Sequence, residues 1–240
     1  MLCSYFHNHP EVRCLVEPIN PPGHRHHMGP NKSDDKLIPR KYVFNNLPMV
    51  LDWLFTNGAF PSDVNLTNKS CRLIASFKIM AHQIQVLPNQ KLFWNELKRR
   101  KVKIIINHRH NIVKQIVSDY ITTITKIPVN YGKKPGTARV LYPINQIATK
   151  VAEIKADRAY LDKHVSKYGL DHVSIIYESV LEDKSVLERT FEWVCGRKPY
   201  FLEPQTIKQN SDNLRDIIIN YDEFANECAR LHLSAFLKDT

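Results

Sequence analysis

The chain has 240 residues, 43% of them hydrophobic and 24% charged, with a mean hydropathy of −0.36; this supports a globular core and excludes collagen, a coiled-coil rod and bulk disorder. Lys and Arg number 34 against 24 Asp and Glu, a formal net charge of +10 that attracts anions: nucleic acid, acidic lipid, nucleotides, sulfated or phosphorylated substrates. No apolar run approaches the ~18 residues of a transmembrane helix, and no basic segment followed by an apolar stretch opens the sequence, so the expectation is a cytoplasmic protein with no membrane span.

In chain order, Leu2, Tyr5 and Phe6 read as the end of a helix, followed by a turn at His9-Pro10 and a short strand from Val12 through Leu15 to Glu17. Residues 21–41 concentrate Pro, Gly and charge and read as an exposed loop. Leu47, Val50, Leu51 and Leu54 recur at helical spacing over 45–57, and Asn57-Gly58 stops them. Cys71–Met80 fits a strand, and residues 90–99 fit a short amphipathic helix. Lys101 to Asn107 (KVKIIIN) is a β-branched run suited to a parallel strand buried on both faces. Ile112, Val113, Ile116, Val117, Tyr120, Ile121 and Ile124 then form a helical stripe, with Asn111 placed as its N-cap. Residues 128–143 read as a loop, and 144–168 as a long helix that ends at Gly169. His172–Tyr177 reads as another buried strand, Val186–Val194 as a helix, and 216–237 as a final helix or helix pair. Strands alternating with helices predict an α/β fold with a mainly parallel sheet.

The five cysteines (Cys3, Cys14, Cys71, Cys195, Cys228) include no C-x-x-C pair and read as free thiols of a reducing compartment. His24, His26 and His27 lie in the 21–41 loop without a second ligand set, so no metal is expected. His108-Arg109-His110-Asn111 lacks the Asp and the Asn spacing of a kinase catalytic loop. In open α/β sheets, ligands bind at the carboxyl ends of strands, where a helix N-terminus offers free N–H groups. Arg109 falls at that point, and Lys114 and Ser118, four apart, share the helix face away from the apolar stripe. The three form a candidate phosphate site; the same spacing also fits a surface arginine beside ordinary helix polar residues.

Ile104–Ser118 (IIINHRHNIVKQIVS) resembles the 3′-phosphate-binding strand and helix of sulfotransferases that use 3′-phosphoadenosine 5′-phosphosulfate (PAPS), where an Arg ends the strand and a Ser lies two turns into the helix. SFKIMAHQ at Ser76–Gln83 resembles their preceding strand, and SYFHNHPEVRCLVEPINP near the N-terminus their segment after the phosphosulfate loop. IIYESVLEDKSVLE and KQNSDNLRDIIINYDEF resemble the closing elements of the nodulation-type and bacterial carbohydrate branch. The resemblance implies a single domain over 1–240 with the P-loop-NTPase-like sulfotransferase fold. It implies PAPS as sulfuryl donor, its 3′,5′-bisphosphate (PAP) as product, and a hydroxyl of a glycan, glycolipid or small molecule as acceptor.

By the same resemblance Arg109 and Ser118 hold the 3′-phosphate, Lys208 closes over the nucleotide, and Glu17 is the base. A turn-capping carboxylate is the alternative for Glu17. His7 and His9 lie nearby in the sequence and are alternative bases, since His titrates near neutrality, His9 also fitting a plain turn; Lys78 either helps neutralise the sulfuryl group or ends its strand in a salt bridge. One departure stands out: Met1 falls where the family's basic 5′-phosphosulfate loop should already have ended, so the expectation is a fold lacking its first strand and loop. That keeps open a catalytically silent nucleotide- or glycan-binding remnant. A nucleic-acid binder has only the net charge behind it, without a helix-turn-helix or RNA-binding signature, and no nucleic-acid partner is expected.

Overall fold

The computed structural model describes residues 12–16, 74–125, 139–198 and 213–237. The expected loop over 21–41, the helix over 45–57 and most of the loop over 128–143 lie outside the described residues. In chain order the described elements are β1 (Val12–Val16), β2 (Ile74–Lys78), α1 (Ala81–Gln85), α2 (Gln90–Arg99), β3 (Ile104–His108), α3 (Ile112–Thr125), α4 (Ile147–Tyr168), β4 (His172–Ile176), α5 (Tyr177–Glu182), α6 (Ser185–Cys195), α7 (Leu214–Ile217) and α8 (Tyr221–Arg230). Single turns of 3-10 helix precede α4 at Ile144–Gln146 and follow α8 at Ser234–Leu237. The class is α/β. Two compact units are drawn from it, one from Met1–Ile105, Tyr160–Val173 and Leu187–Pro204, the other from Ile106–Ala159, Ser174–Val186 and Gln205–Thr240.

In the first unit β1 and β2 pair in parallel, Val12 opposite Ile74 and Val16 opposite Lys78. Helix α2 starts at Asn89, whose side chain accepts the Leu92 N–H at 3.0 Å, and buries Phe93, Trp94 and Leu97 on one face. Trp94 stacks on His164 (centroids 5.4 Å apart) and on Tyr168 (6.1 Å), both from the last turns of α4. The end of α2 explains why β3 begins later than the β-branched run suggests. Lys101 takes the left-handed conformation (φ 53°), its N–H reaching Lys98 O and that of Val102 reaching Leu97 O, both at 3.0 Å. This two-bond helix terminus satisfies orphan carbonyls and consumes residues 100–102, so the strand starts at Ile104. Helix α4 ends the same way at Gly169 (φ 57°), with Gly169 N–H on Ser166 O and Leu170 N–H on Val165 O, here with the residue type that φ favours.

Strands β3 and β4 pair with each other. Ile104 N–H, at the start of β3, donates to Asp171 O, just before β4, at 2.9 Å. Their starts are therefore adjacent and the strands run in the same direction. Burial differs from the expectation for these strands. Of β3 only Ile106 is fully buried, with Ile104 and Ile105 half-buried; of β4 only Ile175 is, with His172, Ser174 and Ile176 exposed. The alternating burial of β4 marks a strand covered on one face rather than two, and each strand has one strand partner among the described residues.

The second unit holds the large core. The α3 stripe (Ile112, Val113, Ile116, Val117, Ile121) packs with Ile147 and Val151 from the start of α4, Leu214, Ile217 and Ile218 around α7, and Phe224 and Cys228 from α8. Val140 and Tyr142 join it, so the described end of the expected 128–143 loop is core. Val140 forms a parallel bridge with Ile218, and the Asn220 side chain pairs with the Tyr142 backbone, accepting its N–H at 2.9 Å and donating to its carbonyl at 3.0 Å. Burial pushes the Cys228 thiol up to about 12, which makes it an apolar core residue rather than a nucleophile. Among the described residues no helix is long and apolar enough to cross a membrane.

Candidate functional site

The parallel register of β3 and β4 brings the residues after the two strands side by side. With residue 104 opposite 172, residues 109 and 110 fall opposite 177 and 178. The side chains follow that register. The Arg109 guanidinium carbon lies 5.0 Å from the Tyr177 ring centroid, within cation–π range, and its Nε is 3.8 Å from Glu178 Oε1. The Glu178 carboxylate accepts the His110 N–H through Oε2 at 2.7 Å and the Asn111 N–H through Oε1 at 3.1 Å. Burial acts to raise its pKa, but the His110 and Asn111 amides, its own backbone amide and, last, the Arg109 guanidinium outweigh burial and hold it below the usual glutamate value. Glu178 is therefore an anion at neutral pH, seated on the turn that leads into α3.

The expected free N–H groups of that turn are thus partly occupied from within the chain. Amides 110 and 111 go to Glu178, and the Lys114 N–H goes to Asn111 Oδ1 at 2.8 Å, the cap that the sequence predicts. What remains open is the Arg109 side chain. Its Nε is buried without a hydrogen bond, and neither Nη atom has a hydrogen-bond partner among the described residues. A buried, unsatisfied guanidinium nitrogen at a strand tip is unusual and costs stability unless something pairs with it.

Lys114 and Ser118 are half-buried on α3, off the face that carries Ile112, Val113, Ile116 and Val117, as their spacing predicts; Arg109 hydrogen-bonds neither. Glu17, His9, His7 and Lys208 lie outside the described residues, as do His24, His26 and His27. Lys78 is the last residue of β2. Among the described residues no group of three or more His, Cys, Asp or Glu side chains is placed to hold a metal ion.

Two residues at this tip escape sequence reasoning. Arg158, on α4, donates through Nη2 to the Arg109 carbonyl and to Gln115 Oε1, the latter at 3.1 Å, tying the strand tip to the first turn of α3. Its position in a charged helix stretch (KADRAYLDK) gives no local sign of that role. Glu178 had a signal: a carboxylate two residues past one strand and a guanidinium one residue past another meet if the strands are parallel neighbours.

Asn111 holds the turn together with three bonds, since its Nδ2 also donates to Phe236 O at 2.9 Å. Asn111→Ala removes the cap, about 1 kcal/mol, and strips Phe236 O of its donor, about 1–3 kcal/mol. Urea unfolding should show about 2–4 kcal/mol of destabilisation. Asn111→Asp restores the acceptor but not the donor, and should recover only the cap's share.

Comparison with protein-family models, with curated proteins and with solved structures finds no match for this chain.

Proposed function

We propose that this chain is a sulfotransferase-type protein that binds the 3′-phosphate of PAPS at the Arg109 strand tip and serves transfer of its sulfuryl group to an acceptor hydroxyl, on a glycan, glycolipid or small molecule. The observation that carries the reading is the open guanidinium of Arg109 at the carboxyl end of β3, immediately before an N-capped helix. A guanidinium offers two parallel N–H donors that match phosphate geometry, and the carboxyl end of a parallel strand is where such folds bind nucleotides. The amides taken by Glu178 shift the phosphate contact from backbone to side chains, to Arg109 first, with Lys114 and Ser118 on the adjoining helix face.

The donor, when bound, supplies the activated sulfuryl group. The chain's part is to hold the nucleotide, to offset charge developing on the leaving side and to accept the acceptor's proton. In this reading Lys208 closes over the nucleotide, and Glu17, or His9 in its place, takes the proton. The overall architecture proposed is the P-loop-NTPase-like sulfotransferase fold, and the α/β class with parallel strand pairs is compatible with it.

The test is binding followed by turnover. PAP at about 100 times its dissociation constant should stabilise the protein by about 2.7 kcal/mol in thermal unfolding, with DNA and RNA of equal phosphate content giving no comparable shift. Labelled PAPS supplied with a panel of glycan and small-molecule hydroxyls then reads transfer. Nucleotide binding without turnover on any acceptor favours the silent, nucleotide-binding form of the same fold, and stabilisation by nucleic acid but not by PAP overturns both.

A further inference from the structure

Glu178 contacts one short stretch of chain in three ways. Its two oxygens take the amides of His110 and Asn111, and Oε1 also faces Arg109 Nε at 3.8 Å. The residue before it, Tyr177, lays its ring against the same guanidinium, while Arg158 holds the Arg109 carbonyl. Arg109 is thus engaged at its backbone, at the face of its guanidinium and, by an ion pair without a hydrogen bond, on its Nε side, whereas the Nη fork has no partner among the described residues.

A carboxylate beside an arginine acts on an incoming phosphate in two opposite ways. It repels the phosphate through space, and it fixes the guanidinium so that less freedom is lost on binding. Here the two backbone N–H donors already offset much of the carboxylate's charge, which weakens the repulsion and leaves the orienting contact intact. Orientation therefore prevails.

We propose that Glu178 is the positioning residue of this site, fixing Arg109 so that its Nη fork meets the nucleotide 3′-phosphate. This rests on the PAPS reading above. The readout is a specificity ratio, the affinity for PAP over that for adenosine 5′-monophosphate, measured by calorimetry on the full chain. Glu178→Gln keeps the size but sets an NH2 group among N–H donors and removes the charge that faces Nε. It should lower the ratio about tenfold while monophosphate affinity stays within about twofold.

Glu178→Asp keeps the charge one methylene further back, and should fall between wild type and the Gln variant; it decides the matter if the Gln variant does not fold. A wild-type ratio in either folded variant, even with a lowered melting temperature, makes Glu178 a structural cap and overturns the proposal. A raised ratio makes it a competitor of the phosphate and overturns it too. If wild type itself shows no preference for PAP, the nucleotide reading fails and this role falls with it, an outcome distinct from a wild-type preference that the variants leave untouched.

Discussion

Arg109→Ala is expected to weaken PAP binding at least about a hundredfold, roughly 3 kcal/mol, while adenosine 5′-monophosphate loses little. The size follows from the setting. The side chain is only 24% exposed, so its field is less screened by water than that of a surface arginine. In the proposed complex its free fork would supply two charge-assisted bonds at once. Arg109→Lys separates charge from geometry. An ammonium keeps the positive charge but presents a single point instead of a planar fork, so it should recover part of the loss and no more. Arg109→Ala also removes the cation opposite Glu178, but the amide bonds from His110 and Asn111 remain and still seat that carboxylate. The turn should therefore persist, with a melting temperature close to wild type. Calorimetric titration of both nucleotides against wild type, Arg109→Ala and Arg109→Lys reads all of this. Equal weakening of both nucleotides would remove the 3′-phosphate from the Arg109 tip.

What the sequence reveals here and what it hides divide along the range of the interactions involved. Helix α2 matches the predicted 90–99 span, and the α3 stripe with its Asn111 cap is legible because periodicity and capping are decided within a few residues. The long helix to Gly169 is legible for the same reason. The start of β3 is not: KVKIIIN has strand propensity from end to end, yet Lys101 and Val102 serve the end of α2, a cost in backbone conformation that a non-glycine residue in the left-handed region carries. The 3.6-residue pattern is too brief to betray α5, a six-residue helix begun directly from β4. Val140 and Tyr142 look like loop because a short apolar stretch running into Pro143 carries no periodicity; they become core through a bridge to Ile218 and a side chain at Asn220, nearly eighty residues away.

The site divides in the same way. That Arg109 stands just past a strand and before a helix is a local fact, and the sequence shows it. That Glu178 meets the same turn depends on which strand lies beside β3 and in which register, and strand pairing is not written in either segment alone. Once Glu178 is placed, two of the amides that the sequence leaves free at this tip are taken, and the Arg109 guanidinium is left as its unbonded donor group.

Phe224→Ala should be the most destabilising single change in the second unit, by about 3–5 kcal/mol. Phe224 is fully buried, its ring edge-on to Tyr142 with centroids 5.1 Å apart, and Tyr142 in turn lies 4.9 Å from Tyr120 of α3. Two effects add. The lost transfer energy and the cavity account for most of the cost, because Tyr142 is anchored at its backbone by Asn220 and cannot collapse into the space. The broken aromatic contact contributes about 0.5–1.5 kcal/mol of it. Phe224→Leu refills part of the volume and should cost about 1–2 kcal/mol. The functional consequence is the informative part. The core face of α3 carries Val113, Ile116 and Val117, whereas Lys114 and Ser118 stand off it. Loosening the core therefore lowers the urea midpoint without altering the chemistry that the helix presents at the strand tip. Below the shifted transition, Phe224→Ala should keep the wild-type preference for PAP over the monophosphate, and Arg109→Ala should keep the wild-type midpoint and lose that preference. Measured side by side, the two variants separate the residues that hold the fold from the one that meets the ligand.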